Sequence, residues 1–380
     1  MQEMKDATSV ERMLFDKASR MRTPIYCTME LLPLCNMNCE MCFIRLTSEE
    51  MARKGRLRTA DEWIEMARQM KDAGVLFVSL TGGEPLLFPE FKRLYLALRQ
   101  MGMIVTINTN GTLLDDAWAA FFGENKPRRI NITLYGVGEQ AYREVCHYPG
   151  GFERVMNAVR LLRMQDVDVR INGSIVRRNA QDGPEIVRIA RDLGAAASVE
   201  TYMFPATRER EKPYNLQERL LPEDAARARV AIWQAEMAHE AFCAHAIRML
   251  FTATHTPPGE ETPGVMQCAA GRCACTISWQ GEMRPCVMLS PVSVPAFEAG
   301  FDEAWKKMTE LVDSVRTSPR CSKCTLRAVC SPCAARALHE TGHYDGVGDY
   351  VCRYTLGTLQ ALEDALHASE AKSTAHTDRT

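Results

Sequence analysis

No stretch of this 380-residue chain approaches the roughly 18 consecutive apolar residues that a membrane-crossing helix needs, and residues 1–22 hold no apolar run of the kind that heads a secreted protein. These absences predict a soluble, cytoplasmic protein with no membrane partner. An excess of one charge is missing too: 46 Lys and Arg stand against 48 Asp and Glu, so no global field favours nucleic acid. A substrate must be recognised locally. Internal repeats and low-complexity blocks are absent. Cysteine is scarce through the middle of the chain: of 15, four fall by residue 42, and only Cys146 and Cys243 follow before a dense group from Cys268 to Cys352. So many cysteines without a secretion signal argue for metal ligation rather than a disulfide framework. Their distribution marks two metal-bearing regions separated by a cysteine-poor scaffold.

That scaffold has a repeating rhythm. Thr59-Ala-Asp-Glu62 reads as a capping box opening a helix, with Trp63, Met66, Ala67 and Met70 on one face and Gly74 stopping it. Val75 to Leu80 is then a short apolar strand. Helices near 91–101, 115–122, 152–164 and 184–193 alternate with strands near 103–107, 130–134, 167–176 and 198–203. With a first strand leading into Cys35, about six units predict an α/β fold, a parallel sheet curled into a partial (β/α)6 barrel. Six are too few to close an eight-fold barrel, so a wide lateral mouth is expected, with the important loops at the C-terminal ends of the strands. From 206 the rhythm breaks. Arg208, Arg210, Lys212 and Arg219 form a basic stretch, a long helix follows Pro222, and Thr256 to Gly264 is Pro/Gly-rich. This segment reads as a solvated connector or as a lid. From Ser369 the tail is polar and predicted to be disordered.

The chemistry-bearing motifs fall at predicted strand ends. Cys35-Asn-Met-Asn-Cys39-Glu-Met-Cys42-Phe43 puts three thiols on one loop, enough for three irons of a [4Fe-4S] cube, and no fourth Cys or His lies just after them. One iron would stay open for reaction. Zinc would instead want four N or S ligands. Thr81-Gly82-Gly83-Glu84-Pro85 follows the strand Val75 to Leu80 directly; its glycines permit close backbone approach and Glu84 supplies a carboxylate. Asn108-Thr109-Asn110-Gly111-Thr112 ends the next strand and Asn131-Ile-Thr133-Leu-Tyr135-Gly136 the one after.

Toward the C-terminus, Cys268 is followed by twelve residues, Gly281, four residues and Cys286. Then come Cys321-Ser-Lys-Cys324, five residues, Cys330-Ser-Pro-Cys333, and Cys352. Zinc modules usually separate their cysteine pairs by roughly 12 or more residues. The five between Cys324 and Cys330 suit ligands interleaved between two clusters.

On these motifs the chain resembles the radical AdoMet (radical S-adenosylmethionine) enzymes, and its C-terminal cysteines resemble the SPASM domain found in that family. The resemblance covers about Tyr26 to Cys352. It implies that Cys35, Cys39 and Cys42 carry a cluster that reductively cleaves S-adenosylmethionine, and that a 5′-deoxyadenosyl radical then abstracts a substrate hydrogen. It implies cofactor contacts at Phe43, Gly82, Gly83, Glu84, Pro85, Asn110, Thr133 and Asn172, with Glu84 toward the methionyl amino group. Up to two auxiliary [4Fe-4S] clusters are implied: a distal one on Cys321, Cys324, Cys330 and Cys352, and a proximal one on Cys268, Cys286, Cys333 and either Cys273 or Cys275. The expected division is an N-terminal extension 1–24, a partial barrel 25–205, a helical connector 206–264, a small cysteine-rich SPASM domain 265–355 and a C-terminal helix or tail 356–380.

The chain departs from the family pattern in two places. Its final pair is CxxC where CxxxC is common, which leaves an exchange of roles between Cys330 and Cys333 as an alternative. The Asp that acts as base in the sulfatase-maturating branch is replaced by Val287. Cys27, Cys146, Cys243 and one of Cys273 and Cys275 are left over as packed thiols, with a hydrogen-donor role for a leftover thiol, Tyr135 or Tyr148 as the alternative. The substrate implied is a ribosomally synthesised peptide to be cross-linked or epimerised, or else a small molecule such as a tetrapyrrole side chain to be oxidised. A non-catalytic iron–sulfur or zinc scaffold is the remaining reading. A low-potential flavodoxin- or ferredoxin-like electron donor is implied. With 34 residues before Cys35, too few for a fused leader-peptide domain, a separate leader-binding protein is expected where the substrate is a precursor peptide.

Overall fold

The architecture comes from a computed structural model that describes residues 8–205, 218–260, 262–330 and 332–377. After α1 (Ser9–Met21) and β1 (Tyr26–Glu30) the chain runs through α2 (Ser48–Lys54), α3 (Ala60–Asp72), β2 (Phe77–Thr81), α4 (Phe91–Gln100), β3 (Ile104–Thr109), α5 (Asp116–Glu124) and β4 (Arg129–Thr133). It continues as α6 (Glu139–Glu144), α7 (Gly151–Met164), β5 (Val169–Ser174), α8 (Gly183–Asp192) and β6 (Ala196–Glu200). These are the predicted alternating elements. Strands β1 to β6 pair in parallel in sequence order, and β6 is left as an open edge of the sheet.

Local sequence sets these elements. Thr59 and Glu62 exchange the reciprocal capping bonds expected of them, and Trp63, Met66, Ala67 and Met70 are buried on the inner face of α3. The same reciprocal cap, Thr8 with Glu11 and Thr47 with Glu50, opens α1 and α2. Strand alternation then divides the sheet. Val78, Leu80, Ile107, Ile130 and Ile132 join Trp63, Leu94, Phe122 and Val159 in the main apolar core. The opposite face is polar: Asn108 Nδ2 donates to Ser79 Oγ at 2.7 Å and Asn131 Nδ2 to Asn108 Oδ1 at 2.8 Å. A closed barrel fills this space with branched aliphatic layers; here it is a hydrogen-bonded ladder.

From 218 the described part of the connector is mostly helical. One long helix after Pro222 is expected, but there are two, α9 (Pro222–Glu236) and α10 (His239–His255), parted where Met237 is extended (φ −110°, ψ 150°). The break lets Phe242 and Ala246 pack beside Val230 and Leu362. Of the basic stretch, Arg208, Arg210 and Lys212 lie outside the described residues. Arg219 is buried, bound through Nη1 and Nη2 to Glu340 at 3.2 and 2.5 Å and stacked 3.4 Å from the Tyr350 ring centre. Its charge is spent inside the fold.

The cysteine-rich segment is joined to the barrel sheet. It comprises β7 (Gly264–Val265), β8 (Ala274–Ile277), β9 (Glu282–Arg284), β10 (Val294–Pro295), α11 (Ala296–Ala299), α12 (Phe301–Ser314), β11 (Arg316–Thr317), α13 (Pro319–Lys323), α14 (Arg327–Cys330), α15 (Ala334–Thr341) and α16 (Asp349–Thr377). β8 pairs in parallel with β1, placing Cys275 opposite Cys27, and β9 and β10 follow antiparallel. The sheet therefore has nine strands in the order β10-β9-β8-β1-β2-β3-β4-β5-β6. α16 extends to Thr377, into the tail predicted to be disordered; no Gly or Pro follows Gly357 to stop it. No helix among the described residues is long and apolar enough to cross a membrane.

Candidate functional site

The two glycines after β2 serve a packing need that fixes the site. Gly83 N–H donates to Leu32 O at 2.7 Å and Glu84 N–H to Leu34 O at 2.9 Å, so this segment lies against the chain that leads into Cys35. A Cβ on Gly82 would sit 2.4 Å from Leu32 O, and one on Gly83 would sit 2.2 Å from Leu34 O. No side chain fits. The close approach, expected from sequence toward a ligand, is made here to the chain that leads into the cysteine loop.

The next strand end fastens the same loop. Asn110 Nδ2 lies 3.6 Å from Cys35 Sγ and donates to Asn36 Oδ1 at 2.8 Å, while Asn36 Nδ2 donates to Thr112 Oγ1 at 2.8 Å. Glu84 is wholly buried beneath. Its Oε1 accepts from Thr109 Oγ1 at 2.7 Å and Leu86 N at 3.0 Å, and its Oε2 accepts from Asn110 N at 2.8 Å. Burial pushes its carboxyl up to about 7, against the pull of those three bonds. Glu84 thereby ties β2 to β3 under the loop, and it does not line the cavity described next.

That cavity, of about 380 Å³, opens where the ends of all six barrel strands converge. Cys35, Cys39, Cys42 and Phe43 line one side, with Gly82, Gly83, Asn110 and Thr133 as expected from sequence. Pro85 is buried at the head of a short 3-10 turn, away from the cavity. Asn172 is one step too deep on β5, and Ser174, two residues on and on the same face, takes the lining position. Sequence reasoning also missed Tyr202, Met203 and Phe204 past β6, and Met288 beside Val287 from the C-terminal segment. The aromatic pair Tyr202 and Phe204 at a predicted strand end was the available signal. A separate space of about 470 Å³ beside β6, lined by Arg170, Arg191 and Arg229, holds no cysteine.

The donor set suits a soft metal centre. Burial pushes the Cys35 thiol up to about 12. Cys39 is also raised, by its hydrogen bond with Cys146 and then by burial. Among the described residues no Lys or Arg lines the cavity to offset thiolate charge. Bound iron would supply that positive charge, and three sulfur donors on one loop match it. Met37 N–H and Arg45 N–H already point at Cys35 Sγ and Cys42 Sγ, at 3.4 and 3.3 Å.

The other cysteines fall into neighbourhoods. Cys286 interacts electrostatically with Cys333 and Cys268, and Cys273 with Cys268. Cys321 interacts with Cys330, Cys352 and Cys324. Cys275 lies instead against Cys27. Among the described residues no three His, Cys, Asp or Glu side chains converge on a single-ion position.

A Radical SAM superfamily model matches residues 29–193. The chain is 28% identical to the AdoMet-dependent heme synthase of Methanosarcina barkeri, over 83% of this chain and 92% of that protein. It is 22% identical to the subtilosin biosynthesis protein AlbA of Bacillus subtilis, over 84% of this chain and 69% of that one. Streptococcus suis SuiB bound to S-adenosylmethionine shares the fold at a TM-score of 0.65 and 20% identity, covering 87% of this chain and 77% of SuiB.

Proposed function

We propose that this chain, which carries a radical SAM superfamily domain over residues 29–193, takes a hydrogen atom from a ribosomally synthesised peptide and so cross-links or epimerises it. The observation that carries this reading is the cavity's composition among the described residues: three cysteines, and no Asp, Glu, His, Lys or Arg in the lining. Such a site has no acid–base pair and no charged clamp, so it is ill-suited to reactions that develop charge. Removal of a neutral hydrogen atom needs neither.

When bound, a [4Fe-4S] cluster and S-adenosylmethionine supply the one-electron cleavage and the hydrogen abstraction, and auxiliary clusters supply a sink for a second electron. The chain's own residues hold and enclose. Cys35, Cys39 and Cys42 take the cluster, with Asn36 and Asn110 holding the loop in place. Thr133 and Ser174 present hydroxyls at neighbouring strand ends. Tyr202, Met203, Phe204, Val287 and Met288 form the apolar wall that excludes water and accepts a substrate side chain. Val287 at this wall, where a base would stand, argues against sulfatase maturation. The two cysteine neighbourhoods support auxiliary clusters on Cys321, Cys324, Cys330 and Cys352, and on Cys268, Cys273, Cys286 and Cys333. A flavodoxin- or ferredoxin-like electron donor completes the set of partners.

The peptide reading draws on the likeness to AlbA, a bacteriocin biosynthesis protein, along most of the chain. A second reading, oxidation of a small molecule such as a tetrapyrrole side chain, draws on the likeness to the heme synthase along nearly that protein's whole length. Anaerobic turnover in D2O with candidate precursor peptides and with a tetrapyrrole, read by mass, separates them. Loss of two hydrogens from a peptide means a cross-link or desaturation, and gain of one deuterium alone means epimerisation. A changed tetrapyrrole beside unchanged peptides selects the second reading. Tightly held zinc with no release of 5′-deoxyadenosine would overturn both.

A further inference from the structure

A second space, of about 620 Å³, adjoins the cavity at the cysteine loop, and Tyr202 lines both. It sits past β6, the open edge of the sheet, between that strand and the helices α9, α10, α14, α15 and α16. Trp233, Met249, Tyr354 and Leu359 give it apolar and aromatic walls. Among the described residues its charged lining is Glu200, Arg229 and Arg336. The first two offset each other: Arg229 pairs with Glu200 and also donates to Val199 O at 2.9 Å and to the Tyr354 hydroxyl at 3.2 Å.

Arg336 has no such partner. It stands half-buried on α15 with its guanidinium carbon 4.5 Å from the Tyr202 ring centre. A guanidinium stacked on a ring keeps its N–H edge for other acceptors. The carboxylate four residues on, Glu340, is the partner that helix geometry offers. It is already taken, since Tyr202 donates to its Oε1 at 2.7 Å and Arg219 binds both of its oxygens. Among the described residues Arg336 makes no hydrogen bond or ion pair. A half-buried cation without an acceptor is costly, and a ligand that brings an anion removes that cost.

We propose that this space receives the stretch of substrate peptide beside the modified residue, and that Arg336 binds an Asp or Glu side chain of that stretch. The inference deepens the peptide reading and rests on it. Apolar and aromatic walls suit flanking side chains, one surplus positive charge calls for one carboxylate, and Tyr202 joins the space to the wall that accepts the reacting side chain. Arg336 also borders the gap among Cys321, Cys330, Cys333 and Cys352. Service to those cysteines alone is the rival outcome.

The test retains peptides on the immobilised, reconstituted full chain under anaerobic conditions with S-adenosylmethionine. Equal pools of hexapeptides, random except for a central Phe-Glu or Phe-Gln pair, compete, and mass spectrometry counts what is kept. Wild type should favour Glu over Gln about tenfold, the worth of one charge-assisted hydrogen bond. Arg336→Gln should bring the ratio to about one, Arg336→Lys should keep part of it, and Arg336→Glu should turn the preference toward a Phe-Lys pool. Lost packing alone cannot reverse a charge preference. Equal retention of Glu and Gln by wild type overturns the proposal and leaves the peptide reading standing. Retention of neither pool overturns both. An Arg336→Gln chain that keeps the preference for Glu overturns the proposal, and if that chain also loses iron, Arg336 serves the distal cysteines. Should Arg336→Gln fail to fold, the Arg336→Glu chain decides, and a preference for Glu that survives there overturns the proposal.

Discussion

Cys35, Cys39 and Cys42 occupy a loop fastened by main-chain bonds to the segment after β2, by Asn110 to the end of β3, and by Val145 and Cys146 to the segment after α6. Cys321, Cys324 and Cys330 sit on or beside α13 and α14, helices of five and four residues with no buried side chain between them. Cys324 and Cys352 are exposed. Isolated helices this short are far below the length that is stable in water. The contrast separates two ways of making a metal site. On the proposed function, the first is shaped by packing independently of a metal, and the second would draw much of its order from the metal proposed for it.

The largest effect expected on this contrast is catalytic. Cys35→Ala, Cys39→Ala and Cys42→Ala should each reduce 5′-deoxyadenosine release to background. Cys321→Ala with Cys324→Ala should leave at least uncoupled release while product disappears, as chromatography of both species will show. Full product formation by the second variant would remove the role given to the distal cysteines. Next in size is the response to iron removal. Chelation should speed amide exchange across 321–352 by about a hundredfold or more, as expected for loss of a local folding constraint. Exchange in β2 to β4 should stay within a few-fold of the loaded protein. Equal acceleration in both regions would erase the distinction.

How far the sequence announces each region follows the same divide. The six β/α units are legible because apolar periodicity and glycine stops are local signals, and so is the cysteine loop with Gly82-Gly83-Glu84 beside it. The pairing of β8 with β1 is not, because four residues within a cysteine pattern carry no sign of a partner about 250 positions away. Tyr202 and Met288 meet in one cavity wall only through that long-range assembly. Asn172 shows how fine the margin is: the right strand and the right face were readable, but not that Ser174 at the next inward step reaches the cavity. Glu84 was readable as a strand-end carboxylate, while its burial beneath the loop depends on Thr109 and Asn110 arriving from another strand.

Glycines give a sharper, smaller test. Gly83→Ala places its Cβ against the backbone of Leu34 on the chain into Cys35, where neither partner is a flexible side chain. The cost should be about 3 kcal/mol, the upper end for overpacking, with loss of iron from the N-terminal loop. Gly342, the left-handed cap of α15 (φ 83°), has nothing within 4 Å of a built Cβ. Gly342→Ala should cost about 1 kcal/mol, the backbone preference alone. Denaturant melts of the two variants, each beside wild type, measure the difference. Equal costs would mean that the loop yields more readily than its fastening implies.

The smallest effect concerns α1, which lies beneath both regions: Phe15 and Ala18 pack with Ile25, Tyr26 and Phe77 of the barrel and with Cys273 and Ala274 of the C-terminal segment. Its anchor is Glu11, whose carboxylate pairs with Arg128 beside β4 and accepts from Thr8. The guanidinium holds the Glu11 carboxyl at about 2, well below its ordinary 4.5, despite partial burial. A carboxyl with a depressed folded value adds stability that is full above the unfolded value and fades as pH falls through the folded one. Arg128→Met should therefore cost about 1 kcal/mol at pH 7, as a partly screened ion pair does. That cost should shrink as pH falls from 4.5 toward 2. Because the pair involves no cysteine, melts of the iron-free protein should show the same cost and the same pH window. A cost that vanished on iron removal would mean that α1 is held by the metal-ordered half, and that the barrel floor depends on the region it was taken to support.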